Sequence, residues 1–142
     1  MHNIIDAHSH YMPPAVAERT TFFKVNWSDI DRQLSTMDKN NVAQSLLLYP
    51  TSDAHVQMGG WQNVCDVYNE EIAAVVKKHQ GRFIGAGIVP LDNPANCIKE
   101  LMRIQRLGLK VISLPSSFGG KYLDDEIFAG TIEFAARSGM PV

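Results

Sequence analysis

The chain has 142 residues, 45% hydrophobic and 20% charged, the size and balance of one globular domain with its own core rather than of a disordered or fibrous segment. With 13 Lys and Arg scattered among 15 Asp and Glu the net charge is −2, so there is no basic field to meet nucleic acid or an anionic membrane surface. No apolar run approaches the ~20 residues of a spanning helix and no secretory leader opens the chain; the expectation is a single cytoplasmic domain over residues 1–142.

Apolar runs of strand length alternate with stretches of helical period, the grammar of four βα units in an α/β fold with a parallel sheet. The first strand is IIDAHSH, residues 4–10, ended by Pro13-Pro14. After a loop with Phe22, Phe23 and Trp27, Ser28 is placed to cap a helix through about Lys39, with Ile30, Leu34 and Met37 on one buried face. Asn40-Asn41 breaks it. The second strand is VAQSLLLYP, residues 42–50, nearly continuous in its apolar half, as suits a strand covered on both faces. The polar loop TSDAHVQMGG leads to a helix from Trp61 to about Gln80, where Val64, Tyr68, Ile72 and Val75-Val76 recur at helical spacing and Gly81 suits a left-handed terminus.

RFIGAGIVPL gives the third strand, ending at Pro90, and NPANCIKELMRIQRLG the third helix, stopped by Gly108. The fourth strand is KVISLPSS, residues 110–117; FGGKYLDD is a loop, and a fourth helix runs from about Asp125 to Ser138, closed by Gly139. Met140-Pro141-Val142 reads as the first residues of another strand. Cys65 and Cys97 fall on different helices without metal-type spacing and are expected as reduced, buried thiols.

In a strand, residues two apart share a face, so Asp6, His8 and His10 are expected on one side of the sheet. Imidazoles ~7 Å apart can both approach one divalent ion where the strand end twists, and neutral imidazole suits zinc. These histidines sit at the carboxyl end of their strand, where functional groups gather in parallel α/β proteins. An HxH pattern by itself is weak, because solvent satisfies two polar side chains at a strand end equally well. In a dry parallel sheet, however, inward-facing imidazoles need partners, and a metal provides for both. Tyr11, Phe22, Phe23 and Trp27 can wall an aromatic-sized pocket, but for each one singly the core is the preferred reading.

The other polar residues point to no site. His55, in the loop after the second strand, is read as exposed, although substrate contact is open to it. His2 and His79 lie away from the carboxyl ends. Lys110 begins its strand, the wrong end for a lysine bridging two metals. Ser113, Ser116 and Ser117 lack an adjacent histidine base. Asp124 and Asp125 precede a helix, where capping accounts for them.

With these residues in view, IIDAHSHYMPP resembles the opening strand and loop of the metal-dependent amidohydrolase superfamily, in the amidohydrolase-related branch typified by aminocarboxymuconate-semialdehyde decarboxylase. GRFIGAGIVPLDNPANCIKELMRIQRLGLKVISLPSS is similar to that branch's third strand, helix and fourth strand, and Asn69-Glu70 ahead of RF fits as well. The resemblance implies a (β/α)8 barrel, of which this chain is the amino-terminal half. It implies one metal, usually zinc, with His8 and His10 as two of its ligands. A third histidine from the fifth strand and an aspartate from the eighth have no counterpart among these residues. The implied chemistry is decarboxylation, or hydrolysis or hydration, of a small unsaturated or aromatic carboxylic acid, with the chain as given expected to be inactive or nearly so. A different reading stays open: a half-barrel that serves as a structural or binding module and self-associates as a homo-oligomer to cover its sheet edges.

Overall fold

The computed structural model describes residues 4–21 and 26–142. Phe22 and Phe23, named above as candidate pocket walls, lie outside the described residues, as does His2. The elements in chain order are β1 (Ile4–His10), α1 (Pro14–Ala17), α2 (Ile30–Lys39), β2 (Val42–Leu48), α3 (Ala54–Met58), α4 (Trp61–Lys78), β3 (Phe83–Gly87), α5 (Pro94–Arg106), β4 (Val111–Ile112), β5 (Ser117–Phe118), β6 (Lys121–Tyr122) and α6 (Glu126–Ser138). Strands β1 to β4 form one parallel sheet in sequence order, and helices return the chain between them. That order, with no strand inserted out of turn, is the arrangement of one half of a (β/α)8 barrel.

Helix ends follow local chemistry. Ser28 is not the cap of α2: Asp29 takes that place, its carboxylate accepting from the Arg32 N–H at 2.9 Å, while the Ser28 hydroxyl donates to the Met12 carbonyl at 2.7 Å. Asn41 carries the chain from α2 into β2 at φ +56°, a left-handed conformation that Asn tolerates better than most residues. Pro94 opens α5, and Asp125 caps α6 by accepting from the Ile127 N–H at 3.2 Å.

The core lies between the sheet and α4, α5 and α6. Val64, Tyr68 and Ile72 of α4, Leu101 and Ile104 of α5 and Phe128 of α6 are all fully buried. Glycines in β3 allow the close packing: a Cβ on Gly87 would meet Ile104 at 2.7 Å, and one on Gly85 would meet Ile72 and Leu109 at 2.9 Å. Cys65 and Cys97 are buried free thiols, and burial pushes both above the ordinary thiol value.

Three features depart from the sequence reading. Short helices α1 and α3 occupy stretches expected as loop. The fourth strand pairs only at Val111–Ile112, because after the Ser113 N–H donates to the Gly87 carbonyl at 2.8 Å the chain reaches Pro115, which has no N–H to continue a ladder. Third, β5 and β6 make an antiparallel hairpin where FGGKY was expected as loop, with Gly119 and Gly120 at φ +58° and +78° supplying a turn that demands glycine-like freedom. Beyond β4, the Pro141 carbonyl accepts from the Ile112 N–H at 2.9 Å, which sets Met140-Pro141-Val142 beside β4 where a next strand would lie. Among the described residues, no helix is long and apolar enough to cross a membrane.

Candidate metal centre and pocket

The site begins with an irregularity in β1. Its register against β2 runs from Asp6↔Ser45 to Ser9↔Leu47, so β1 advances one residue more than its partner. Such a bulge takes a backbone amide out of the ladder. The Asp6 carboxylate receives it: one oxygen accepts from the His8 N–H at 3.0 Å and the other from the Ser45 hydroxyl at 3.3 Å. The plain alternation expected for Asp6, His8 and His10 is therefore corrected. Asp6 is engaged in holding the bulge, and the imidazoles of His8 and His10 are the groups that reach the cavity.

The two rings meet edge to face, with centroids 5.0 Å apart and planes at 88°. The His10 Nδ1 is buried and has no hydrogen-bond partner, while His8 is exposed. The expectation of a dry inner face fails at His8, and His10 is only half-buried; among the described residues β1 is an edge strand with β2 as its sole neighbour. Burial first, and then the adjacent His8, push His10 below its ordinary value, against a smaller opposing pull from the Leu48 carbonyl. A neutral imidazole is the form that coordinates a cation.

These histidines border a cavity of about 250 Å³ at the carboxyl ends of the strands. Its walls are mostly apolar, with Ile88, Leu91, Leu114 and Pro115 among them, and the polar groups that reach it include Thr51, Ser113 and Ser117. An apolar enclosure with a few convergent polar groups is the usual form of a small-molecule site. On the other flank of β1 the same histidines border a recess with Trp27, Arg32 and Gln33, where the Gln33 amide donates to the Ser9 hydroxyl at 2.6 Å.

The remaining sequence candidates divide clearly. Tyr11 is core, 3% exposed, whereas Trp27 is half-buried with its ring 5.4 Å from that of His10. His55 is not the exposed loop residue expected. It is half-buried in α3 and stacked on Trp61 at 4.4 Å with planes 11° apart. Ser113 and Ser117 reach the cavity, Ser116 does not, and Lys110 borders Ser138 and Gly139 instead. Asp125 is the helix cap it was read as.

Two cavity residues, Trp61 and Phe118, were missed as site residues. Phe118 had a legible signal, since S-F-G-G-K-Y is the glycine-centred pattern of a hairpin that returns its flanking side chains to the body. Trp61 follows Gly59-Gly60 at a helix start, a position that carries no such cue.

The donors present fit two positions of a metal site, with an unpartnered buried nitrogen on one of them. Among the described residues no group of three His, Cys, Asp or Glu side chains is close enough to hold an ion.

Comparison with known proteins gives a consistent outcome. Residues 5–142 match the amidohydrolase family. The chain is 32% identical over 124 residues to 2-amino-3-carboxymuconate-6-semialdehyde decarboxylase of Dictyostelium discoideum, covering 82% of this chain and 33% of that protein. The crystal structure of 5-carboxyvanillate decarboxylase from Sphingomonas paucimobilis superposes with a TM-score of 0.80 at 22% identity, over 97% of this chain and 50% of that one. The enzyme of the same name from Novosphingobium aromaticivorans, complexed with manganese and 4-hydroxy-3-methoxy-5-nitrobenzoic acid, gives a TM-score of 0.80 at 20% identity, over 98% and 49%. The chain therefore spans about a third of the curated relative and about half of these solved structures.

Proposed function

The chain belongs to the amidohydrolase family, and from that premise we propose that it carries the metal-binding first half of a decarboxylase, or a related hydrolase, acting on a small unsaturated or aromatic carboxylic acid. The observation that carries the reading is the His8 and His10 pair, with its unpartnered buried Nδ1, at the mouth of an apolar cavity at the carboxyl ends of the strands.

His8 and His10 are the proposed ligands of a divalent cation. Zinc suits two neutral imidazoles, and manganese is the ion held in the Novosphingobium structure. When bound, such an ion supplies Lewis acidity toward a substrate oxygen. The chain's own residues do the rest of the positioning: Asp6 fixes the backbone at His8, the apolar wall strips water from an unsaturated body, and Ser113 and Ser117 offer hydroxyls to polar substituents.

Two protein ligands fall short of the three typical of catalytic zinc sites, so these 142 residues alone are proposed to bind the ion weakly and turn over poorly. The test is calorimetric titration of chelator-stripped protein with Zn²⁺ and with Mn²⁺, alongside an assay of carbon dioxide release from 5-carboxyvanillate, the compound named in the structural relatives. Weak binding that disappears when either histidine is replaced supports the proposal. Binding indifferent to both histidines overturns the ligand assignment, and a tight stoichiometric ion with ready turnover overturns the inactivity.

A second reading is favoured by one observation. Ile4 and Ile5 on the β1 edge are 50% and 57% exposed, an apolar strip that self-association would cover. A half-barrel module that pairs with its own copy would elute from a sizing column as a dimer; a monodisperse monomer removes that reading.

A further inference from the structure

One stretch of the cavity wall is chemically distinct from the rest. Trp61 at the start of α4 lines it, and one face of its indole is covered by the parallel ring of His55, 4.4 Å away. What the indole has left to offer is its opposite face and its edge. Phe118, delivered by the β5–β6 hairpin, stands beside it with centroids 5.7 Å apart and planes at 68°. Three rings from three separate segments thus meet at one corner, and Leu114 and Pro115 of the same cavity add no charge to it.

We propose that Trp61, backed by His55 and flanked by Phe118, is a stacking clamp that selects planar unsaturated rings over saturated ones of the same size. The proposal rests on the reading of this cavity as a substrate site, and adds the residues that discriminate among its ligands. The chemistry is that of the indole face. A flat ring lies against it over its whole area and gains the quadrupole contact of offset or edge-on aromatic pairs, whereas a puckered ring touches it only through some of its hydrogens. His55 acts through Trp61 as a positioning residue: filling the rear face keeps the indole from swinging back into the space α3 would otherwise leave. Phe118 flanks the slot from a hairpin of two short strands and packs partly buried against the core, so Phe118→Leu, which keeps an apolar side chain there, is the milder change.

The clamp is tested on the protein as it stands, by measuring dissociation constants for two matched pairs, benzoate against cyclohexanecarboxylate and phenol against cyclohexanol, using ligand-observed NMR. The planar member of each pair binds tighter by about 2- to 10-fold. Trp61→Leu brings that ratio close to 1. Phe118→Leu lowers it, and serves if the Trp61 variant fails to fold. His55→Ala lowers it as well, and His55→Phe restores it, a rescue that a merely structural loss would not show in the ratio. Equal binding within both pairs by the wild type, or an undiminished ratio in both Trp61→Leu and Phe118→Leu, overturns the clamp. A preference for phenol over cyclohexanol without binding of either carboxylate leaves the clamp standing and counts against the carboxylic-acid reading instead.

Discussion

The side-chain amide of Asn69 pairs with both backbone groups of Ile88: its oxygen accepts from the Ile88 N–H at 2.9 Å and its nitrogen donates to the Ile88 carbonyl at 2.9 Å. Asn69 is 0% exposed, and the same nitrogen also donates to Glu100 at 2.7 Å. Glu100, 4% exposed, is held in turn by the Arg103 guanidinium at 2.7 Å, which reaches on to Glu70 at 2.6 Å. A helix side chain thereby extends the hydrogen bonding of β3 just past its end, where Ile88 and Val89 become cavity wall. Replacing Asn69 by Leu strands the two backbone groups of Ile88 in the interior, while the Glu100 carboxylate keeps Arg103, and the change costs about 2–3 kcal/mol. Urea unfolding of Asn69→Leu should show that loss; a change under about 0.5 kcal/mol would mean that the pairing is incidental.

The proposed ligand role separates the two histidines from the fold. His8 is exposed and lies on an edge strand, so His8→Ala should leave the unfolding midpoint of the ion-free protein almost unchanged while lowering Zn²⁺ affinity by at least about 10-fold. His10→Ala should show the same loss of affinity. Competition with a chromogenic chelator reads the affinities, and a variant that keeps wild-type binding would remove that histidine from the ligand set.

The Asp53 carboxylate links two loops at the same end of the sheet. It accepts from the hydroxyls of Thr20 and Thr21, the latter at 2.6 Å, and from the Thr21 N–H at 3.1 Å, and these bonds hold it down at about 2. A carboxylate lowered in the folded state stabilises the fold above its unfolded value near 3.8, and that contribution disappears as pH falls through about 2. The urea midpoint of the wild type should drop between pH 4 and pH 2, and Asp53→Asn should flatten the drop in that window. Parallel profiles for the two proteins would disconnect Asp53 from acid stability.

Two glycines should respond to alanine with opposite signs. At Gly87 the new Cβ would lie 2.7 Å from two atoms of Ile104, itself 0% exposed, so Gly87→Ala should destabilise by about 1–3 kcal/mol as α5 is pushed off the sheet. At Gly130, within α6, the nearest atom is the Ile98 Cδ1 at an ordinary 3.5 Å, and Gly130→Ala should stabilise by about 0.5–1 kcal/mol through helix propensity alone. Thermal melts of the pair decide it, and a shared sign would refute the packing argument.

The sheet order and the long helices were legible because a parallel α/β core imposes long-period signals: Val64, Tyr68 and Ile72 repeat on one face of α4, and the Gly108 and Gly139 stops sit at left-handed backbone. The His8 and His10 pair stood out as a candidate because an HxH spacing inside an apolar run is visible without knowing the partner strand. What escaped depends on contacts that residue spacing along one element does not encode. Nothing around His55 announces that it will stack on Trp61, since the ring six residues on returns to it only through the Gly59-Gly60 reversal. The role of Asp6 was hidden for the same reason, because a bulge is defined by the partner strand and cannot be read from one strand alone. Pro115 did carry its warning, and a strand through residue 117 overlooked what a missing N–H does to a ladder.

Among the described residues, β1 is bonded along one flank only, and it is the strand that bears both imidazoles. Bracing the free flank of β1 would therefore act directly on the strand that carries the two proposed ligands. On that assignment ion affinity would report how firmly β1 is held, and a series of such braces could be ranked by the metal binding each confers.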